Sequence, residues 1–546
     1  VTDERNQSNS TYSHPSPSPR DTASDDRFSN DPADHHVTSS SPSTPTDHLC
    51  TTEHVLHLPD RDLRYTAITG TRVLCEELTG SGGGETGGSG SKAVGSSSAG
   101  PSSETGGRSG YSRAVPYAEV FSVSYIAQDR DPQRPVVFAF NGGPGSSTVW
   151  LHLGMLGPKR VDSGDVDHLT PPPYGLHDNL HTVLRDADLV CIDPMTTGFT
   201  RPTVGQQHDR HHGFEADRDL VASFIIDWLT RHNRWLSPKF ILGESYGTTR
   251  AAALAGHLFS RYYLALNGVV LISPVLDFAT LLFNQGNDSA YVHYLPTYAA
   301  IAHYHGKHEG RSLEEVVAEA TAFADGPYQG LLAAGHRLTA VQRREAVQSI
   351  AGLTGLHPDY VDRANLRIEH QHFFAELLRD QHRLTGRIDG RFTMPAGDAN
   401  AATADDDPSI SALAPAYTAG INHYLSSDLG FHTDIVYEVM SARVYPWSYS
   451  SFENCTVNVS EDLASAMRAV PALRVLVMHG YHDGATPFHA SEHALAHLAI
   501  PEQDYHSRLR VEYYPAGHMM YVHEPSRIAM SQHLSEFIAD DSAQNR

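Results

Sequence analysis

An α/β fold is the architecture this sequence predicts, with a mostly parallel central sheet, flanking helices and a large helical insertion. Three observations carry that expectation. Short, almost wholly apolar runs at 135–140, 187–192, 240–242, 268–272 and 473–478 alternate with longer polar–apolar segments of helical period, as strands covered on both faces and their crossover helices do. The stretch Lys239-Phe-Ile-Leu-Gly-Glu-Ser-Tyr-Gly-Thr-Thr-Arg250 reads as strand end, tight turn and helix start, and its centre fits G-x-S-x-G, the strand–turn–helix setting of a nucleophile elbow. Residues 277–450 then change character to long Ala-, Glu-, His- and Arg-containing segments, far more chain than a crossover between neighbouring strands needs.

Taken in order, residues 1–48 are rich in Ser, Thr, Pro, Asp and His and nearly devoid of apolar side chains. They cannot bury enough surface to offset ordering entropy and are expected to be disordered; sequons stand at Asn6 and Asn9. The first part of the core is expected over 49–276. Leu63-Arg-Tyr-Thr-Ala-Ile-Thr and Thr71-Arg-Val-Leu-Cys alternate around Thr-Gly-Thr and read as a hairpin. Residues 80–110 are Gly/Ser-rich and read as a flexible insertion. Ala118 to Ile126 alternates like a half-exposed antiparallel strand. Pro135-Val-Val-Phe-Ala-Phe is a buried strand, followed directly by the loop Asn141-Gly-Gly-Pro-Gly-Ser-Ser-Thr. A strand over 187–192 ends in Asp193, and the segment 214–231 has helical spacing.

After the elbow come a helix through Tyr262 and a strand from Gly268. The insertion, 277–450, is expected to be a mostly helical cap, with helices near 312–325 and 341–352 and a mobile acidic loop at 397–408. The second part of the core, 451–546, carries a strand from Leu473, the turn Tyr481-His-Asp-Gly484, a helix through His497, a strand over 509–514, the turn Pro515-Ala-Gly-His518-Met-Met-Tyr521 and a terminal helix from Glu524.

Composition bounds the chemistry. The chain has 546 residues and a formal net charge of -24, with 35 histidines and four cysteines. So acidic a chain is a poor match for a nucleic-acid surface, which needs clustered Lys and Arg. No apolar run approaches the roughly 20 residues of a membrane span. No early apolar segment of signal-peptide type is visible, which favours a cytoplasmic expectation. The cysteines, at 50, 75, 191 and 455, have no metal-type or C-x-x-C spacing. The pairs and triplets of histidine at 208–212, 303–305 and 370–372 are expected on solvated surface, with no metal site. No phosphate-loop or dinucleotide fingerprint occurs, so no cofactor is implied.

Ser245, Asp483 and His518 follow one another in the chain order Ser…Asp…His, each after a strand's C-terminal end, where open α/β sheets build their sites. A serine hydroxyl is a weak nucleophile; a histidine base and an aspartate that fixes its tautomer activate it. Asp193 also ends a strand but precedes the serine, which makes it the weaker partner. The glycine loop at 141–146 lies upstream of the elbow, where this arrangement places part of an oxyanion hole.

Asn141-Gly-Gly-Pro-Gly-Ser-Ser, Gly243-Glu-Ser-Tyr-Gly, Gly480-x-x-Asp483 and Ala516-Gly-His-Met together resemble the serine carboxypeptidase family (peptidase family S10) of the α/β-hydrolase fold. Val149-Trp-Leu-His-Leu-Gly-Met-Leu-Gly-Pro-Lys-Arg-Val, Tyr294-Leu-Pro-Thr-Tyr-Ala-Ala and Arg387-Ile-Asp-Gly-Arg-Phe-Thr are similar to its bacterial branch. The resemblance spans roughly residues 54–540. It implies removal of residues from peptide C-termini, with Asn141 and Glu244 holding the substrate carboxylate and the backbone N–H groups of Gly143 and Tyr246 forming the oxyanion hole. A glutamate facing a carboxylate needs a proton on one of the two, which implies a preference for acidic pH.

The chain departs from the family's better-known eukaryotic members. Ser146 stands where they have Cys, Ala139 where they have Trp, and Met155 where they have a second Glu; Thr196 and Thr200 replace Gly and Ser. The expected partners are peptide or protein C-termini, without nucleic acid or membrane; no feature sets an oligomeric state. The alternatives are another acyl-transfer enzyme of the same fold (aminopeptidase, esterase or acyltransferase) and an inactive binding protein.

Overall fold

The computed structural model describes residues 45–78, 113–129, 131, 133–206 and 208–544. Residues 1–44, with both sequons, and the Gly/Ser-rich segment 80–110 lie outside the described residues.

One large sheet organises the chain. Its strands are β1 (His48–His57), β2 (Asp62–Leu78), β3 (Arg113–Ala127), β4 (Val136–Phe140), β5 (Asp188–Ile192), β6 (Lys239–Glu244), β7 (Gly268–Ile272), β8 (Arg474–Gly480) and β9 (Leu509–Tyr514). They lie in the order β1-β2-β3-β5-β4-β6-β7-β8-β9, with Arg201–Pro202 attached to β3. The first three strands run antiparallel to their neighbours, and β5 through β9 are mutually parallel. The parallel strands β4, β5, β6 and β7 are buried at every position, which is why they read as unbroken apolar runs.

Helices cover both faces. The longer ones are α1 (Phe214–Arg231), α2 (Tyr246–Tyr262), α3 (Ser289–Tyr304), α4 (Leu313–Phe323), α5 (Ala340–Thr354), α6 (Pro408–Ser427), α7 (Ser460–Ala469), α8 (Phe488–Ala496) and α9 (Glu524–Gln544). α1, α2, α7 and α8 pack on one face of the sheet with Phe138, Ile241 and Val477. α6 and α9 pack on the other with Val137, Leu242 and Met478. Between β7 and α7, residues of α3, α4 and α5 form a separate apolar core around Tyr298, Ile350 and Phe373. Ser312 and Thr339 open α4 and α5 with reciprocal capping boxes, so these helices carry their own start signals.

Two local expectations are corrected. The hairpin turn falls at 58–61, between β1 and β2, and Thr69-Gly-Thr71 continues straight through β2. Gly70 has φ +147°, and a Cβ there would run into the His48 backbone of β1; the glycine marks a close strand approach instead of a turn. β3 is mostly buried, not half-exposed. α1 covers one side of it, and Trp228 Nε1 donates to Ser124 Oγ at 3.0 Å.

The parallel order reverses at β4, whose neighbours are β5 and β6. In open α/β sheets the crevice beyond the strand C-termini at such a switch is the ligand site. The glycine loop leaves β4 there, and Ser245 leaves β6.

Candidate active site

Ser245 joins β6 to α2 with φ 60° and ψ −132°, a positive φ that a serine holds only under constraint from its surroundings. The constraint is steric. A Cβ on Gly243 would collide with the Gly247 carbonyl, and one on Gly142 would lie 2.5 Å from the backbone nitrogens of Tyr246 and Gly247. The glycine loop therefore lies directly against the first turn of α2, bringing the Gly142–Gly143 backbone beside the Tyr246 amide. Gly143 itself has φ +102°.

Ser245 N donates to Ile272 O at 3.0 Å, and the next residue, Ser273, donates through Oγ to His518 O at 2.7 Å. The end of β7 thus holds the serine turn and the histidine turn together. Asp483 and His518 follow β8 and β9. His518 Nδ1 lies 2.8 Å from Asp483 Oδ2, and Asp483 Oδ1 accepts from the amides of Ala485 and Thr486, each at 2.9 Å. The Thr486 hydroxyl sits 2.8 Å from Asp483 Oδ2. An ionised carboxylate only accepts, so Nδ1 carries the proton and Nε2 is left as the base. Burial, the strongest influence on each, pushes Asp483 up and His518 down. Their mutual charge and hydrogen bond outweigh it, so the carboxyl is held below its ordinary value and the imidazole above.

Asn141 Oδ1 accepts from Leu151 N at 3.0 Å, which turns its amide Nδ2 toward Glu244 Oε1 at 2.8 Å. Glu244 is buried, and its other oxygen, Oε2, has no hydrogen-bond partner of normal geometry among the described residues. Burial pushes this carboxyl up to about 7, with the His518, Tyr521 and Asn141 side chains opposing. Tyr521 was not singled out as a site residue from the sequence. Its hydroxyl is buried close to Glu244 and Asn141, without a hydrogen bond of normal geometry among the described residues, and burial and Glu244 push its ionisation far upward. The signal was available: Tyr521 lies three residues past His518, and the short helical turn Met520–Val522 brings it back toward Glu244.

Arg250, 1% exposed, braces this corner from α2. Its Nε donates to Asp217 Oδ2 and a terminal nitrogen to Asn141 O, both at 2.7 Å, while the guanidinium lies over the rings of Phe140 and Tyr246. Removing one partner of such a pair leaves a buried charge uncompensated. Asp217→Ala should therefore lower unfolding free energy by about 3–5 kcal/mol, read by denaturant titration.

The departures have local substitutes. Ser146 Oγ accepts from Trp150 Nε1 at 3.0 Å, and the loop is tied to the chain at 439–441 by Ser147 N to Val439 O and Ser441 N to Gly145 O. All four cysteines are free thiols. Thr200 Oγ1 links Asp193 O to the Phe121 amide, and Thr196 holds a φ of 64° with its hydroxyl 2.8 Å from His212 Nε2. Asp193 is bound to the end of the glycine loop, accepting from Thr148 N at 2.8 Å. The histidine groups expected on solvated surface lie only partly there: the His372 side chain is 36% exposed, whereas others are packed. His211 and His212 are buried, His303 and His305 bond to the Arg311 and Gly390 carbonyls, and His370 stacks on Phe283.

Sheet order, elbow and switch-point crevice define the α/β-hydrolase class. Within it, a model of the family described as serine carboxypeptidase matches residues 100–532, and the chain belongs to that family. It is 28% identical to Serine carboxypeptidase-like 36 of Arabidopsis thaliana over 150 residues, 26% of this chain and 29% of that protein. It is 27% identical to Serine carboxypeptidase-like 38 of the same plant over 191 residues, 34% and 37% of the two chains. The matched stretches thus span about a third of these curated relatives. Among solved structures, a prohormone-processing carboxypeptidase from Saccharomyces cerevisiae is similar with a TM-score of 0.47 and 13% identity, covering 81% of this chain and 89% of that one. A proline iminopeptidase from Mycobacterium smegmatis is similar with a TM-score of 0.34 and 13% identity, covering 79% and 97%.

Proposed function

We propose that this chain is a cofactor-independent serine carboxypeptidase of the family's bacterial branch, cleaving the last peptide bond of a substrate with a free C-terminus. The observation that carries the reading is the buried Asn141–Glu244 pair beside Ser245, with Glu244 Oε2 left without a hydrogen bond of normal geometry among the described residues. A protonated Glu244 donates from that oxygen to a terminal carboxylate; the Tyr521 hydroxyl is a second donor at the same place. A simple esterase gains nothing from a buried carboxyl next to its nucleophile. The bacterial placement rests on the segments at 149–161 and 387–393.

The reaction follows from the residues. Ser245 Oγ attacks the scissile carbonyl while His518 Nε2 accepts its proton, and Asp483 stabilises the resulting imidazolium. The Gly143 and Tyr246 amides receive the developing oxyanion, helped by the positive end of α2. His518 then passes the proton to the departing amine, releasing the C-terminal amino acid and leaving an ester on Ser245. Water, deprotonated by His518, hydrolyses that ester.

The active form carries a proton on Glu244 and none on His518. Falling pH protonates His518 and stops the chemistry. Rising pH removes the Glu244 proton, so productive binding is full only well below that group's pKa, is half lost at about 7 and declines above it. The two carboxyls are coupled through one site, and a bound carboxylate pushes Glu244 higher still. On a blocked peptide with a free C-terminus, kcat/KM should fall about tenfold per pH unit on the alkaline side. Glu244→Gln, a donor that does not titrate, should flatten that limb. The matching C-terminal amide should be a poor substrate at every pH. Hydrolysis of free and amidated peptides at equal rates, followed by mass spectrometry, would remove the carboxypeptidase reading.

A further inference from the structure

The segment Arg387-Ile-Asp-Gly-Arg391, which belongs to the stretch between β7 and β8, is wedged between the two turns that carry Asp483 and His518. His518 N donates to Ile388 O at 2.7 Å, and Gly390 N donates to His482 O at 2.9 Å. The Asp389 carboxylate accepts from Gly517 N at 3.2 Å. A Cβ on Gly517 would meet the Asp389 side chain and its Cα, and one on Gly484 would lie 3.0 Å from Arg387 O. The fit therefore leaves no room on either turn. Asp389, 3% exposed, is itself held on every side. Arg391 grips it with Nε at 2.9 and 3.2 Å and a terminal nitrogen at 2.6 Å. The Asp389 backbone N–H donates to Ser409 Oγ at 3.0 Å, and the Ser409 hydroxyl donates to the Asp389 carbonyl at 3.1 Å.

Consider what this does to the histidine. With Ser273 on its carbonyl, His518 is bonded at both its backbone N–H and its C=O, and the Gly517 and His518 amides are both bonded to the 387–391 segment. His482, next to Asp483, is bonded through its carbonyl to the same segment. The spacing between the carboxylate and the imidazole is thus constrained by a third piece of chain, which holds the backbone of both turns.

We propose that Asp389 is a positioning residue for the Asp483–His518 pair, acting through the Gly517–His518 backbone, with Arg391 and Ser409 fixing it in place. Misplacement of a reacting group by an ångström costs about a hundredfold in rate, so the residue acts on kcat and leaves substrate binding alone. The inference rests on the hydrolase reading above.

The test is a double-mutant cycle in the full-length protein, with a blocked amino-acid p-nitrophenyl ester as substrate so that slow variants remain measurable. Asp389→Asn should lower kcat about 10- to 100-fold with KM changed less than about twofold. In an Asp483→Asn background the same change should add less than about threefold, because the geometry it protects is no longer used. Ser409→Ala runs through the same cycle as a milder variant, so a poorly folded Asp389→Asn leaves the question decided. An equal loss in both backgrounds, or a change in KM at constant kcat, overturns the proposal. Failure of Asp483→Asn itself to slow the ester would instead overturn the hydrolase reading.

Discussion

Ser245→Ala should reduce hydrolysis of a free-C-terminus peptide by about four to six orders of magnitude, with the fold intact. The hydroxyl is the only group lost. The turn that presents it is fixed by backbone contacts: Ser245 N to Ile272 O, the Gly142 approach to Tyr246, and the Gly243 packing on Gly247. Alanine meets the same positive φ, so the elbow keeps its geometry. The residual rate comes from the Gly143 and Tyr246 amides and from substrate positioning, which act on water as they would on serine. A fluorophosphonate probe should label the wild-type protein at Ser245 and leave the variant unlabelled. Full peptidase activity in the variant would exclude the elbow as the reaction centre.

Asp483→Asn should be the next most damaging change, lowering kcat about ten-thousandfold. The asparagine is nearly isosteric, and its amide oxygen will take the position that satisfies the Ala485 and Thr486 amides. The amide NH2 then faces His518 Nδ1. A donor there forces the proton onto Nε2, the atom that must accept the serine proton. The imidazole also loses the charge that holds its pKa above the ordinary value, so the imidazolium formed during attack is less stable. Raising the pH restores part of the rate if hydroxide substitutes for the missing base; the acid limb assigned to His518 should move to lower pH. An unshifted limb in a kcat/KM profile would show that Asp483 does not govern this histidine.

The sheet core was legible because its strands are buried on both faces and read as apolar runs without help from context. The elbow was legible because a serine between two glycines, after a strand and before a helix, has few other physical uses. Asp483 and His518 were legible from their strand-end turns and chain order. The hairpin was misplaced because Gly70 resembles a turn glycine in sequence; only the neighbouring β1 backbone shows that it serves a close approach. β3 was read as half-exposed because α1, which covers it, is distant in sequence. Tyr521 was missed because its proximity to Glu244 depends on a single helical turn after His518. Asp389 lies within a segment that carries the family resemblance, but its contacts with Gly517 are long-range, and no local pattern encodes them.

β7 and β8 are hydrogen-bonded neighbours although about two hundred residues separate them in the chain. The entropy of closing so long a loop grows only slowly with its length, and the intervening helices carry a core of their own around Tyr298 and Phe373. The intervening chain can therefore collapse first and shorten the path that β8 must close. The serine elbow is built from contiguous chain, whereas aspartate and histidine are brought to it only by the pairing of β8 with β7 and of β9 with β8. The three residues of the site therefore meet only in the complete sheet.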